Sequence, residues 1–111
     1  MKNTTVKMIV ALVIAVLSSM AQAAGNADEG KKKAETCKAC HGEGGAKPIM
    51  PEYPVLAGQH EDYLVAALSQ YKTGKRQNPI MKGFAAALSP QDIRDLAAYL
   101  SSQKSALKSK Y

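Results

Sequence analysis

Cys37-Lys38-Ala39-Cys40-His41 is the stretch on which the fold turns, since it holds both cysteines of the 111-residue chain with a histidine directly behind the second. Three ordinary explanations of such a pair each lack a part. A disulfide across two intervening residues closes a very short loop and restrains a small domain little. A thioredoxin-like dithiol belongs where strands alternate with helices, whereas the flanks here are rich in Lys, Ala and Glu and read as helical. A structural zinc site asks for four ligands, and beyond residue 23 His60 is the one further nitrogen or sulfur donor apart from methionine thioethers. Covalent haem attachment uses all three residues. C-x-x-C-H in an exported chain is the signature of a c-type haem: two thiols on one helical turn add across the haem vinyl groups, and the next imidazole lies beneath the iron as an axial ligand. A redox dithiol is the alternative that the triplet leaves open.

Export is read from the residues upstream. Lys2 and Lys7 form a basic start, Met8 to Leu17 is an unbroken apolar run, and Ala21-Gln22-Ala23 offers the small residues of a cleavage site. An uncleaved anchor is the alternative, but ten apolar residues fall well short of the roughly 20 that cross a bilayer. Residues 1–23 are therefore expected to be a cleaved signal peptide and 24–111 the working domain, located in the periplasm without stable membrane insertion. Removing Lys2 and Lys7 lowers the formal charge from +6 to +4. A domain this small is marginal on its own core and needs a staple such as a disulfide, a metal or a bound cofactor.

Downstream, the question is what sits on the other face of the iron, because that choice separates electron carriers from gas binders and peroxidases. Met50, Met81 and His60 are the candidates once the signal is gone. Met50 follows His41 by nine residues in a stiff stretch with Pro48, Pro51 and Pro54. Met81 follows by forty, on what reads as a loop from Thr73 to Leu88, and has the length to wrap a porphyrin. Met81 is favoured; Met50 reads as packing and His60 as a surface histidine beside Glu61 and Asp62.

Three helical blocks are predicted. The first runs from Gly25 to Cys40, with Asn26 as N-cap and Asp28 and Glu29 in the opening turn. The second runs from Glu61 to Lys72, with Leu64, Leu68 and Tyr71 on one face and Gly74 as stop signal. The third opens with Ser89-Pro90-Gln91-Asp92, a cap, a first-turn proline and an acid, and buries Ile93, Leu96, Ala97 and Leu100. No strand-like alternation occurs, so the fold is expected to be all-α. Loops as long as 42–58 and 73–88 normally count against a compact domain, unless a large flat cofactor gives them something to pack on.

At this point the chain resembles the class I c-type cytochromes, and among them the single-haem relatives of cytochrome c4, the group called cytochrome c-553. The likeness spans about Asn26 to Ser102. It rests on Cys37-Lys38-Ala39-Cys40-His41-Gly42, Pro54-Val55-Leu56-Ala57-Gly58-Gln59, Tyr63-Leu64, Gly74-Lys75-Arg76 with Met81, and Leu88-Ser89 through Tyr99-Leu100. The resemblance implies one haem c, held by Cys37 and Cys40 with iron ligated by His41 and Met81. It implies that the Pro54 carbonyl fixes the other ring nitrogen of His41. Leu56 would pack on the porphyrin, where a generic buried leucine is the alternative. Gly30 would let the first and last helices cross near Tyr99, and Arg76 would pair with a haem propionate, a solvated loop cation being the alternative.

The function that follows is an electron carrier, not an enzyme. Its redox partners would be a donor such as a cytochrome bc complex or a dehydrogenase and an acceptor such as a terminal oxidase or reductase. Lys38, Lys47, Lys75, Arg76 and Lys82 would ring the haem edge and steer acidic partners; scattered solubilising lysines explain them equally well. Basic charge without aromatic interleaving does not argue for nucleic acid. Two rivals remain: a five-coordinate ligand-binding or peroxidatic haem protein, and an electron-transfer subunit of a larger periplasmic dehydrogenase.

Overall fold

From Ala27 to Ser101 the computed structural model contains five α-helices: α1 Ala27–Lys33, α2 Lys38–His41, α3 Glu61–Thr73, α4 Pro79–Ala86 and α5 Pro90–Ser101. The structure describes residues 24–105 together with Asn3, Lys7 and Met8. No strand occurs among the described residues, in agreement with the all-α expectation. The signal peptide expected at 1–23 lies, but for those three residues, outside the described ones, as does the tail from residue 106.

Local chemistry sets the helix ends. Asn26 caps α1, its side-chain oxygen accepting from the N–H groups of Asp28 and Glu29 at 3.0 and 3.1 Å. Ser89 and Asp92 form a reciprocal capping box at the start of α5, and Gly74, at φ 82°, closes α3 in the left-handed conformation that glycine adopts without strain.

Two expectations need correction. The first helical block is not continuous: α1 ends at Lys33, a 3-10 turn covers Ala34–Thr36, and α2 starts only at Lys38. The Thr36 hydroxyl donates back to the Lys33 carbonyl at 3.4 Å, the kind of local bond that bends helices. The second concerns residues 73–88, expected as a loop, which contain the eight-residue α4. Asn78 caps it, accepting from the N–H groups of Ile80 and Met81, and Pro79 occupies the first turn, where its missing N–H costs nothing. Met81 therefore stands on a helix rather than a loop.

The first and last helices form the main packing pair. Leu96 is 2 % exposed, and with Ala34, Leu64, Ala97, Tyr99 and Leu100 it makes the core. A Cβ built on Gly30 would lie 1.9 Å from the Asp95 carbonyl oxygen and 2.8 Å from the Tyr99 Cβ. Only glycine permits that crossing. Gly30→Ala is expected to cost about 1–3 kcal/mol, as overpacking does, read as a lower urea midpoint of the loaded protein.

A polar clasp joins the same two helices. Asp95 is buried, and it accepts from the Asn26 N–H at 2.8 Å, Lys33 Nζ at 2.5 Å and Gln91 Nε2 at 2.8 Å. Burial alone would push its carboxyl up; these three donors outweigh it and hold the group below its ordinary value. Next to it, the Ser89 backbone N–H and the Lys33 ammonium lower Asp92 to about 2. A depressed carboxyl contributes stability above its unfolded value and loses it as pH falls through the folded one. The thermal midpoint is therefore expected to fall between about pH 4 and pH 2. Asp92→Asn should remove part of that slope, about 1 kcal/mol once solvent screening is counted, measured as a flatter acid limb in thermal melts.

Candidate cofactor site

The single turn of α2 gathers the three residues that opened the sequence. The Cys37 carbonyl accepts from the N–H groups of Cys40 at 3.3 Å and His41 at 3.0 Å, so positions i, i+3 and i+4 share one face. Gly42 then turns the chain away at φ 83°, and a Cβ there would meet the Lys47 carbonyl oxygen at 2.2 Å. The connector is tied back by Ile49 N–H to the Cys40 carbonyl, and by Leu56 and Ala57 N–H to the Gly45 carbonyl. This path brings the Pro54 carbonyl to 2.9 Å from His41 Nδ1. A carbonyl only accepts, so Nδ1 carries the proton and Nε2 keeps the free lone pair that a metal needs. The ring is 7 % exposed, with Tyr53 tilted against it at 6.1 Å between centroids.

Cys37, Cys40 and His41 border a cleft of about 380 Å³, within the usual range of ligand sites. Pro54, Leu56 and Met81 line it as well. Six of the seven expected site residues thus converge. Its remaining walls are mostly apolar, among them Leu64, Leu68, Leu88, Leu96 and Leu100, with Lys33 and Glu52 as the charged members. Arg76 is not a lining residue. Its guanidinium donates to the Tyr63 hydroxyl at 2.9 Å and lies over the Tyr63 and Tyr71 rings at 5.6 and 5.4 Å. Met50 is 47 % exposed and lies outside the lining, as does His60, the exposed residue before α3. Lys38, Lys47, Lys75 and Lys82 are exposed and do not line the cleft; Lys38 is paired with Glu35 at 2.5 Å.

Sequence reasoning missed the part of the wall built by Asn78, Ile80, Phe84 and Ala85. The signal was present: Asn78-Pro79 is a cap and first-turn pair, and Ile80, Met81, Phe84, Ala85 and Leu88 recur at helical spacing. Gly83 in the middle masked it.

The donor set fits a covalently attached haem better than its rivals. Both thiols are free and face the same cleft. Burial pushes the Cys37 thiol up, whereas a redox dithiol works through a depressed one. Among the described residues no group of three or more His, Cys, Asp or Glu side chains converges to hold an ion, and structural zinc asks for four ligands.

Comparison with known proteins agrees. The family model for cytochrome c matches residues 27–104. Cytochrome c4 of Pseudomonas aeruginosa is 46 % identical over 99 residues, covering 88 % of this chain and 49 % of the relative. Cytochrome c-554(548) of Halomonas halodenitrificans is 43 % identical over 84 residues, covering 73 % of this chain and 100 % of the relative. The crystal structure of reduced cytochrome c4 from Pseudomonas stutzeri superposes with a TM-score of 0.70 at 40 % identity, over 76 % of this chain and 48 % of that one. The chain thus spans about half the length of the cytochrome c4 relatives it matches. With the attachment triplet, the helical fold and these matches in agreement, the chain belongs to the cytochrome c family, whose members bind haem c covalently.

Proposed function

We propose that the protein is a periplasmic single-electron carrier with one haem c, attached through Cys37 and Cys40 and ligated at iron by His41 and Met81. The observation that carries this reading is the hydrogen bond from His41 Nδ1 to the Pro54 carbonyl beside a cleft that Met81 also lines. Bound haem supplies a ferric–ferrous couple. The chain's residues tune it. Pro54 holds the imidazole in one tautomer and keeps Nε2 a strong donor. The soft Met81 thioether favours the reduced metal and so a positive potential. The leucine walls exclude water and favour the less charged state.

No catalytic group is assigned. The partners are redox proteins, a donor such as a cytochrome bc complex or dehydrogenase and an acceptor such as a terminal oxidase or reductase. Residues 1–23 serve as a cleaved export signal, and no described helix is long and apolar enough to cross a membrane. Reduced-minus-oxidised absorption spectroscopy of protein purified from an exporting host tests the reading. The expected result is a reversible c-type spectrum, low-spin in both states, with a methionine-to-iron charge-transfer band when ferric. A high-spin ferric spectrum lacking that band would reject the proposed ligation and favour an open-site haem protein.

A further inference from the structure

Beyond the ligands themselves, the structure joins α3 to the end of the helix that bears Met81. Lys72, in the last turn of α3, donates from Nζ to the carbonyls of Ala86, at 3.4 Å, and of Leu88. Ala86 ends α4, and Leu88 directly precedes Ser89, the cap of α5. The ammonium therefore straddles the junction between the two helices, where cations are favoured by the unpaired carbonyls of a helix end. Among the described residues these are the only hydrogen bonds that α3 makes to the α4 segment.

The junction matters because the apolar side chains of α4 are committed to the cleft, which Ile80, Met81, Phe84 and Ala85 all line. Of its eight residues only Ala85 is buried by the chain's own atoms. At its start the helix is held by its own Asn78 cap. Met81, Ala85 and Leu88 follow at i, i+4 and i+7 and all line the cleft, so a shift of the carboxyl end carries the Met81 face with it. Helix ends held by few interactions open locally at low cost.

We infer that Lys72 is a positioning residue for Met81: its ammonium clasps the end of α4 and suppresses the local opening that takes the thioether away from the metal. The inference rests on Met81 ligation. In the clasped form, exogenous ligands compete with Met81 at full disadvantage; without the clasp that competition eases.

The test uses the haem-loaded protein and its Lys72→Ala, Lys72→Leu, Lys72→Arg and Lys31→Ala variants. Lys31, exposed on α1, controls for loss of one positive charge. Two readouts are taken on the ferric proteins: the methionine-to-iron charge-transfer band and the apparent affinity for imidazole, which binds by displacing the thioether. The alanine and leucine variants should keep the band and bind imidazole roughly two- to tenfold more tightly, the range that loss of one or two hydrogen bonds commands. Lys72→Arg, which keeps the cation and its donors, and Lys31→Ala should stay near the parent. A role confined to global stability would lower unfolding midpoints without moving imidazole affinity. If the parent shows the band and imidazole affinity is the same in all variants, the clasp is overturned and the ligation stands. If the parent lacks the band, Met81 ligation fails and the inference with it.

Discussion

Cys37→Ser combined with Cys40→Ser is expected to give a chain that carries no covalently bound haem and is largely unfolded at room temperature. The core explains the size of the effect. Leu64, Leu96 and Leu100 of the buried core, and Leu56, Leu68 and Leu88 packed against them, all line the cleft, so the core is open on the side that faces it. A chain deprived of its cofactor leaves about 380 Å³ for those walls to fill. Without the cofactor the apolar walls face water, and the burial they forgo is a large fraction of the few kcal/mol by which a small domain is stable. Far-ultraviolet circular dichroism of the double variant checks it: native helicity in the absence of haem would show that the protein part holds its fold alone.

Met81→Ala should have the second-largest effect. Loss of the thioether opens the sixth position, turns the ferric spectrum high-spin and lowers the potential by on the order of a tenth of a volt, a fraction of the roughly 0.8 V span that axial ligation commands. Met50→Ala should change neither spectrum nor potential, because Met50 is half exposed and lies outside the cleft lining. Spectroelectrochemical titration of both variants decides between them. A high-spin spectrum in Met50→Ala, with Met81→Ala unchanged, would reverse the ligand choice.

What the sequence made legible followed from chemistry that is local in the chain. The attachment triplet spans one helical turn, so its spacing alone carries its meaning. The Ser89–Asp92 box and the Ile93, Leu96, Ala97, Leu100 face are likewise short-range patterns, and the structure contains both. Convergence of Pro54 and Leu56 on His41 depends on how the connector folds back through Gly45, a long-range matter that came into view only through the family resemblance.

The misreadings have equally physical sources. The helical continuity expected through Cys40 overlooked the back-bond from Thr36 that bends the chain before the attachment turn. Helix α4 was hidden because Gly83 lowers helix propensity in its interior, although the Asn78-Pro79 start was readable. Arg76, whose pairing with a haem propionate is what the resemblance implies, packs its guanidinium against two tyrosines of α3, contacts that sequence spacing does not announce.

Intact-mass spectrometry of the protein recovered from a host that exports and matures c-type cytochromes tests the central claim most directly. Denatured in acid and freed of non-covalent ligands, the chain is expected to be heavier than its polypeptide by one haem, with the added mass on the peptide that contains Cys37 and Cys40. A polypeptide at its bare mass, with both thiols open to alkylation, would contradict it.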